Sequence, residues 1–301
     1  MVSLNEIQKM FRGELRLSEP LAHHTSFRIG GPADYYLEPH GKDEFLRLVS
    51  YFRDRDFPFT ILGDASNVLV SDQGYRGAVI NLETSLARMF MDGPHVYAEA
   101  GVKIARLVDF CIHRSLRGME RLAGIPGTLG GGQILSMVIP AEHLVEVEVL
   151  QHGELVKIKK NEAVSRYRHP YASTDVMVAA RFSLPAGEKE KLIRSHREWL
   201  VRHNQTQPVN IPNAGSIFKD PPGHSAATLI EDAGMKGLRH GGAMVSTKHA
   251  NVIVNAGGAS AQDVLVIIKK IQQAVQEKFS VILEPEVTLI GFDQMILREV
   301  A

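Results

Sequence analysis

Apolar residues recur along the chain with two periods. At the helical period, Phe45, Leu48, Val49 and Phe52 fall on one face, and Ile104, Leu107, Val108, Cys111 and Ile112 fall on another. The strongest helical signal opens at Ser260-Ala-Gln-Asp263, spaced like a capping box. It continues as one stripe of Val264, Ile267, Ile268, Ile271, Val275 and Phe279. A charged stretch over Glu188–Asn204 reads as a further helix. Short apolar runs at Phe59–Leu62, Ala78–Leu82 and Val252–Asn255, bounded by Gly, Asn or Asp, predict strands. Leu144–Leu150 and Leu155–Lys160 alternate with period two on either side of Gln151-His-Gly-Glu154, which predicts a hairpin with both strands half exposed. Hairpins mixed with crossover helices place the fold in the α+β class, not in a single doubly wound sheet. A domain boundary is expected near residue 195, in the charged helix ahead of the Pro- and Asn-rich stretch QPVNIPNAG.

Composition narrows the function classes. The 301 residues allow two or three domains. Lys plus Arg and Asp plus Glu balance at 34 each, so no net basic field exists to hold nucleic acid or an anionic membrane. Cys111 is the single cysteine; it can form no internal disulfide and no thiolate zinc cluster, and it reads as a small core residue. The segment MVSLNEIQKMFRGELRL carries charges throughout, so no signal peptide is expected. The longest uncharged stretch, Gly124–Ala141, is studded with Gly and Pro and too short to span a bilayer. The expectation is a cytoplasmic protein without a membrane or nucleic-acid partner. The 13 His residues show no metal-ligand spacing, so no metal site is expected, and His23, His24 and His249 read as capping or surface residues.

Two Gly-rich segments could carry chemistry: Gly63-Asp-Ala-Ser-Asn67, directly after a predicted strand, and Gly124-Ile-Pro-Gly-Thr-Leu-Gly-Gly-Gly132. Successive backbone N–H groups without Cβ obstruction can form a concave nest for a diphosphate, with Ser or Thr hydroxyls as added donors. Neither segment matches G-x-G-x-x-G or a P-loop, and the residues alone are equally compatible with two tight turns. Three polar islands are similarly open. Tyr167-Arg168-His169-Pro170 offers a guanidinium that can be catalytic or a surface ion pair. Asn213-Ala-Gly-Ser-Ile-Phe-Lys-Asp220 puts Ser216 after a Gly, as in an ordinary turn or a site needing close approach. Leu283-Glu-Pro-Glu-Val287 sets Glu284 and Glu286 on one side of a strand-like segment, as an acid–base pair or a solvated face.

Taken in order, these islands resemble one family. His24–Pro32, Ser66–Val70 and Gly124–Gly130 resemble the flavin-binding half of UDP-N-acetylenolpyruvoylglucosamine reductases. Tyr167–His169, Gly215–Lys219, Gly242–Asn251 and Leu283–Val287 complete the set. The likeness runs from about residue 20 to residue 292, and the short spacing from Arg168 to Ser216 resembles the compact branch that lacks an inserted tyrosine loop. The resemblance implies a two-part FAD-binding domain of the vanillyl-alcohol-oxidase-like type over residues 1–195 (subdomains roughly 1–75 and 76–195) and a smaller α+β substrate-binding domain over 196–301. It implies NADPH as hydride donor and UDP-N-acetylglucosamine enolpyruvate as substrate, reduced to UDP-N-acetylmuramate for peptidoglycan. The implied cofactor set is Gly63, Ser66 and Asn67 with Gly124, Ile125, Pro126, Gly127, Thr128, Gly130 and Gly131. By the same likeness Ser216 donates a proton, Arg168 stabilises charge on the carboxylate side and Glu286, held neutral, donates to the developing enolate; Tyr167 and Lys219 meet substrate.

The chain departs from the family pattern in the cofactor half. The usual Gly-x-Gly-Ser-Asn reads Gly63-Asp64-Ala65-Ser66-Asn67. Ala65 costs roughly 1–2 kcal/mol if positive φ is required. Asp64, turned toward a diphosphate, costs up to about 4 kcal/mol at ~4 Å and an effective dielectric of 20. After Gly-Gly, a Met-Asn-Ala-Gly-Ala-Tyr-Gly type of segment is replaced by the aliphatic Gln133–Ala141. These changes keep a flavin-less UDP-sugar-binding remnant as the alternative. A different FAD oxidoreductase fits less well, because an ordinary alcohol oxidase needs no proton donor opposite the flavin.

Overall fold

The structure is a computed structural model that describes residues 2–131, 141–166 and 175–300. Among these, the helices in chain order are α1 (Leu4–Met10), α2 (Lys42–Arg53), α3 (Ile104–His113), α4 (Lys160–Arg166), α5 (Lys189–Thr206), α6 (Ala226–Asp232), α7 (Ala261–Phe279) and α8 (Gln294–Val300). The strands are β1 (Glu14–Pro20), β2 (Pro32–Glu38), β3 (Phe59–Leu62), β4 (Val68–Val70), β5 (Tyr75–Asn81), β6 (Met89–Asp92), β7 (His95–Glu99), β8 (Leu144–Gln151), β9 (Glu154–Lys159), β10 (Val176–Phe182), β11 (Asn213–Ser216), β12 (Arg239–His240), β13 (Ala243–Val245), β14 (Val252–Asn255) and β15 (Thr288–Ile290).

The chain forms two compact units. One comprises Met1–Arg16, Tyr36–Asp64 and Ala78–His203; the other comprises Leu17–Tyr35, Ala65–Gly77 and Asn204–Ala301. The boundary expected near residue 195 falls inside α5, and the units change over at His203/Asn204. Two further segments, 17–35 and 65–77, join the C-terminal unit from far upstream.

In the first unit an antiparallel sheet runs in the order β6-β7-β10-β8-β9. The apolar stripe of α3 covers it, burying Ile104, Leu107, Val108 and Cys111 against Val96, Ala98, Val147 and Phe182. Cys111 is a core residue, and burial pushes its thiol up to about 12. The hairpin forms as the alternation predicts; His152 (φ 47°) and Gly153 (φ 86°) turn it, both left-handed, which suits the twist of the flanking strands. On the opposite face Arg181 pairs with Asp92 at 2.7 Å and with Glu146, so the other side of the sheet carries paired charge. In the same unit, the predicted face of α2 (Phe45, Leu48, Val49, Phe52) is fully buried. Strand β3 lies parallel to the end of β5, with Leu62 opposite Asn81, and delivers the chain to Gly63.

The second unit is built on the antiparallel sheet β11-β14-β13-β12, with β4 and β15 paired in parallel. The stripe of α7 (Val264, Ile267, Ile268, Ile271, Val275) packs with Val245, Ile253 and Phe218 in one buried cluster. The capping box forms: Asp263 N–H donates to Ser260 Oγ, and Ser260 N–H donates to Asp263 Oδ2, each at 3.0 Å. Asp72 takes the next two donors, accepting from Ala261 N at 2.8 Å and Gln262 N at 3.1 Å. The first-turn N–H groups of α7, which a helix leaves without internal partners, are thereby satisfied by carboxylates and a hydroxyl. Asp72→Ala is expected to lower stability by about 1–2 kcal/mol in urea unfolding; an unchanged midpoint would show that Asp72 contributes nothing to the cap.

Candidate active site

In the first unit, the chain leaving β3 meets the second Gly-rich segment at close quarters. A Cβ at Gly63 would stand 2.0 Å from Thr128 Oγ1, and one at Gly130 would stand 2.7 Å from Ala100 Cβ, so glycine is required at both contacts. Gly124 (φ 83°) and Gly127 (φ 112°) hold conformations that side chains disfavour. Main-chain bonds fix the segment in place. Ile104 N donates to Gly127 O (3.0 Å), Leu129 N to Val102 O (2.9 Å) and Gly130 N to Ala100 O (2.7 Å). Thr128 is 1% exposed, and its hydroxyl has no hydrogen-bond partner among the described residues. The buried orphan hydroxyl beside glycine-only backbone is the feature of this segment that fits a diphosphate-bearing cofactor.

Asp64 does not lie loose in this cradle. Its Oδ2 accepts from Gly127 N at 3.1 Å, and its Oδ1 meets Lys103 Nζ at 3.0 Å. Lys103 also reaches Glu83 Oε2 at 3.1 Å. Burial works against the Lys103 charge, but the two carboxylates outweigh it and raise its pKa. Burial, with Asp64 nearby, pushes the Glu83 carboxyl up while Lys103 opposes the shift. Lys103 carries no motif in the sequence; only the fold brings it to Asp64.

In the second unit, Ser216 ends β11, opposite Val252, where a register shift lies between Asn213 and Ser216. Gly215 takes φ 69° there, and its missing Cβ would make only ordinary contact, 3.7 Å from Asn67 Nδ2. Conformation, not crowding, demands the glycine. Asn67 Nδ2 donates to Ala214 O (2.7 Å) and Ser216 O (3.1 Å), and its carbonyl accepts from Thr288 N (3.0 Å). The following turn is held by Asn251, 4% exposed, whose carboxamide accepts from Phe218 N at 2.9 Å and donates to Phe218 O at 2.8 Å. Segment 283–287 then runs alongside: Glu286 N donates to Ile217 O at 2.7 Å and Lys219 N to Glu284 O at 2.9 Å.

This pairing separates the two carboxylates that the sequence leaves equivalent. Glu284 is exposed and pairs with Lys219 Nζ at 3.1 Å. Glu286 is partly buried, and burial raises its pKa; the Asp220 carboxylate adds to the shift and Lys219 opposes it. Glu286 is therefore the better candidate for a carboxyl that stays protonated. Ser216, Lys219 and Glu286 all belong to this one unit, as do Ser66 and Asn67. Gly63, Gly124, Ile125, Pro126, Gly127, Thr128, Gly130 and Gly131 belong to the other. Tyr167, Arg168, His169 and the segment Gly132–Pro140 lie outside the described residues. His24 and His249 differ from expectation. His24 is half-buried and hydrogen-bonds Glu19 at 2.8 Å, while His249 has a buried Nδ1 without a hydrogen-bond partner among the described residues, and burial lowers its pKa. Asn67, Asn251 and Lys103 position the site through backbone carbonyls and charges that only tertiary structure assembles.

Residues 207–290 match the family described as UDP-N-acetylenolpyruvoylglucosamine reductase, C-terminal domain, and residues 33–150 match the FAD binding domain family. The chain is 40% identical to the UDP-N-acetylenolpyruvoylglucosamine reductase of Chloroherpeton thalassium, covering 98% of this chain and 99% of that protein. It is 37% identical to the enzyme of that name from Listeria monocytogenes, over 97% of this chain and 100% of the other. Among solved structures, the UDP-N-acetylenolpyruvylglucosamine reductase of Thermus caldophilus superimposes with a TM-score of 0.76 at 32% identity, covering 93% of this chain and 100% of that one.

Ala65 takes φ 45°, so the left-handed backbone that the departure from Gly makes costly is the one adopted. Ala65→Gly is expected to stabilise the protein by roughly 0.5–1 kcal/mol, the relief of strain being offset in part by the looser unfolded chain. Thermal or urea unfolding checks this; destabilisation would mean that the buried methyl outweighs the strain.

Proposed function

The chain belongs to the UDP-N-acetylenolpyruvoylglucosamine reductase family, and we propose how its own residues carry that family's reaction. It is an FAD-dependent oxidoreductase that uses NADPH to reduce the enolpyruvyl group of UDP-N-acetylglucosamine enolpyruvate, giving UDP-N-acetylmuramate for peptidoglycan. Its fold is the expected α+β one, an FAD-binding part of the vanillyl-alcohol-oxidase-like type and a smaller substrate-binding part. The flavin-less alternative is not favoured, because residues 33–150 match an FAD binding domain and the cradle retains its orphan hydroxyl and glycine contacts. A cytoplasmic location is part of this proposal, because NADPH and UDP-sugars are made there. Among the described residues no helix is long and apolar enough to cross a membrane.

Gly63, Gly124, Ile125, Pro126, Gly127, Thr128, Gly130 and Gly131, with Ser66 and Asn67, are the residues assigned to hold FAD. When bound, it supplies the hydride carrier between NADPH and the terminal vinyl carbon of the substrate. The remaining chemistry falls to side chains. Addition of hydride leaves an enolate whose neighbouring carbon needs a proton, and Ser216, on the bulged end of β11, gives it. Glu286, whose pKa burial raises, is assigned to donate a hydrogen bond to the developing enolate in its protonated form. Lys219 and Tyr167 are assigned to substrate and Arg168 to the carboxylate. The observation that carries this assignment is the contrast between Glu286, partly buried with a raised pKa and paired to the Ser216 segment, and Glu284, exposed and neutralised by Lys219.

Ser216→Ala is expected to slow enolpyruvate reduction by roughly 10²–10⁴-fold while sparing NADPH-driven flavin reduction, read as two half-reactions in stopped flow. Equal loss of both would remove Ser216 from the proton-donor role. For Glu286 the raised pKa means that the required neutral form persists to higher pH than for a free carboxyl, and the rate falls as pH rises through it. Glu286→Gln keeps a donor but no titration, so the falling limb of kcat against pH is expected to vanish; its persistence would assign that limb to another group.

A further inference from the structure

The cradle assignment leaves one feature unexplained: an acid stands where a diphosphate is to be held. We propose that Lys103 is the positioning residue that lets this chain carry Asp64 inside a diphosphate cradle, by holding the carboxylate as one half of an ion pair so that it does not repel bound FAD. The inference rests on the reading of Gly63, Asp64 and Gly124–Gly131 as that cradle.

Topology brings the three charges together. Strands β3 and β5 are parallel with Leu62 opposite Asn81, and Asp64 and Glu83 each stand two residues beyond, at the same edge of the sheet. Lys103 spans them, 3.0 Å from Asp64 and 3.1 Å from Glu83. Its backbone is tied to the Gly-rich segment itself: Lys103 forms an antiparallel bridge with Thr128, and Ile104 N donates to Gly127 O at 3.0 Å. The remaining Asp64 oxygen is taken by Gly127 N at 3.1 Å. Both oxygens of the acid are thus engaged by groups of the cradle, and main-chain pairing holds the Lys103 backbone within reach of Asp64. Without Lys103, two carboxylates would face the dianionic diphosphate uncompensated; with it, the local charge is reduced by one. The Lys103 side chain is 47% exposed, so the effect is subject to screening by salt.

The test is a double-mutant cycle on FAD affinity, followed by flavin fluorescence as the holoenzyme is diluted at low ionic strength. Lys103→Met is expected to weaken FAD binding by roughly tenfold, and by less than about threefold when Asp64→Asn is already present. Lys103→Arg, which keeps the charge, is expected to hold affinity within about threefold of the parent, and added salt to shrink the Lys103→Met effect. A merely structural role for the pair would lower the unfolding midpoint of the FAD-free protein in step with FAD affinity; the Lys103→Met midpoint is expected to hold while affinity falls, and a matching loss of both overturns the proposal. Equal weakening with and without Asp64 would mean that Lys103 acts on FAD directly, and no weakening in either background would mean the pair is idle; either overturns the proposal. Repeating the cycle with Lys103→Gln keeps it decisive if the Met variant folds poorly. Failure of the parent protein to hold FAD at all is a separate result, which would remove the cradle reading.

Discussion

The carbonyls of Ala214 and Ser216, on either side of the bulged Gly215, both accept from the carboxamide of Asn67, and the Asn67 carbonyl in turn accepts from Thr288. Three segments distant in sequence are thereby clamped on one residue. The segment that carries Ser216 and the strand that follows Glu286 both meet at that clamp. It sets where Ser216 sits, and through β15 it fixes the exit of the segment that bears Glu286. Asn251 performs the same service for the following turn by bonding both polar groups of Phe218. Partly satisfied buried amides of this kind would be costly, whereas fully satisfied ones hold a loop in one geometry. Ser216 and Glu286, the residues proposed as proton donor and acid, therefore stand on a frame made mostly of backbone hydrogen bonds.

The first unit meets a different constraint, two stretches of backbone packed so closely that only glycine fits. Gly63 against Thr128 and Gly130 against Ala100 leave no room for side chains. The acid at position 64 is held there by Lys103 and by Gly127 N. Electrostatics and sterics are both settled within the same dozen residues, because the parallel strands β3 and β5 end side by side.

Much of the fold was legible because its elements are amphipathic. The stripes of α2, α3 and α7 lie buried at the positions the periodicity names, β3 and β14 span the residues predicted, and the Ser260 capping box forms. The short strands β4, β11, β12, β13 and β15 were not legible: two to four residues show no period, and β11 is Asn-Ala-Gly-Ser. Nor does any local signal tell that 17–35 and 65–77 join the C-terminal unit, since membership is decided by long-range contacts. In the candidate site, Ser216 and Glu286 stand in polar islands of the sequence, and the roles proposed for them come from family resemblance. The reason to prefer Glu286 to Glu284 in physical terms, burial against solvent exposure with Lys219 alongside, appears only once segment 283–287 is paired. Lys103 was missed because a lone Lys before a helix resembles any other until Asp64 and Glu83 are folded around it.

The central claim is that this chain holds a flavin and passes its electrons to an enolpyruvyl group. An anaerobic titration tests it most directly: the purified protein, supplied with FAD, is reduced with NADPH and then mixed with UDP-N-acetylglucosamine enolpyruvate while the visible spectrum is followed. The account predicts a flavin band that bleaches with NADPH and returns on addition of substrate. A protein that takes up no flavin, or whose bleached band does not return with substrate, would contradict it.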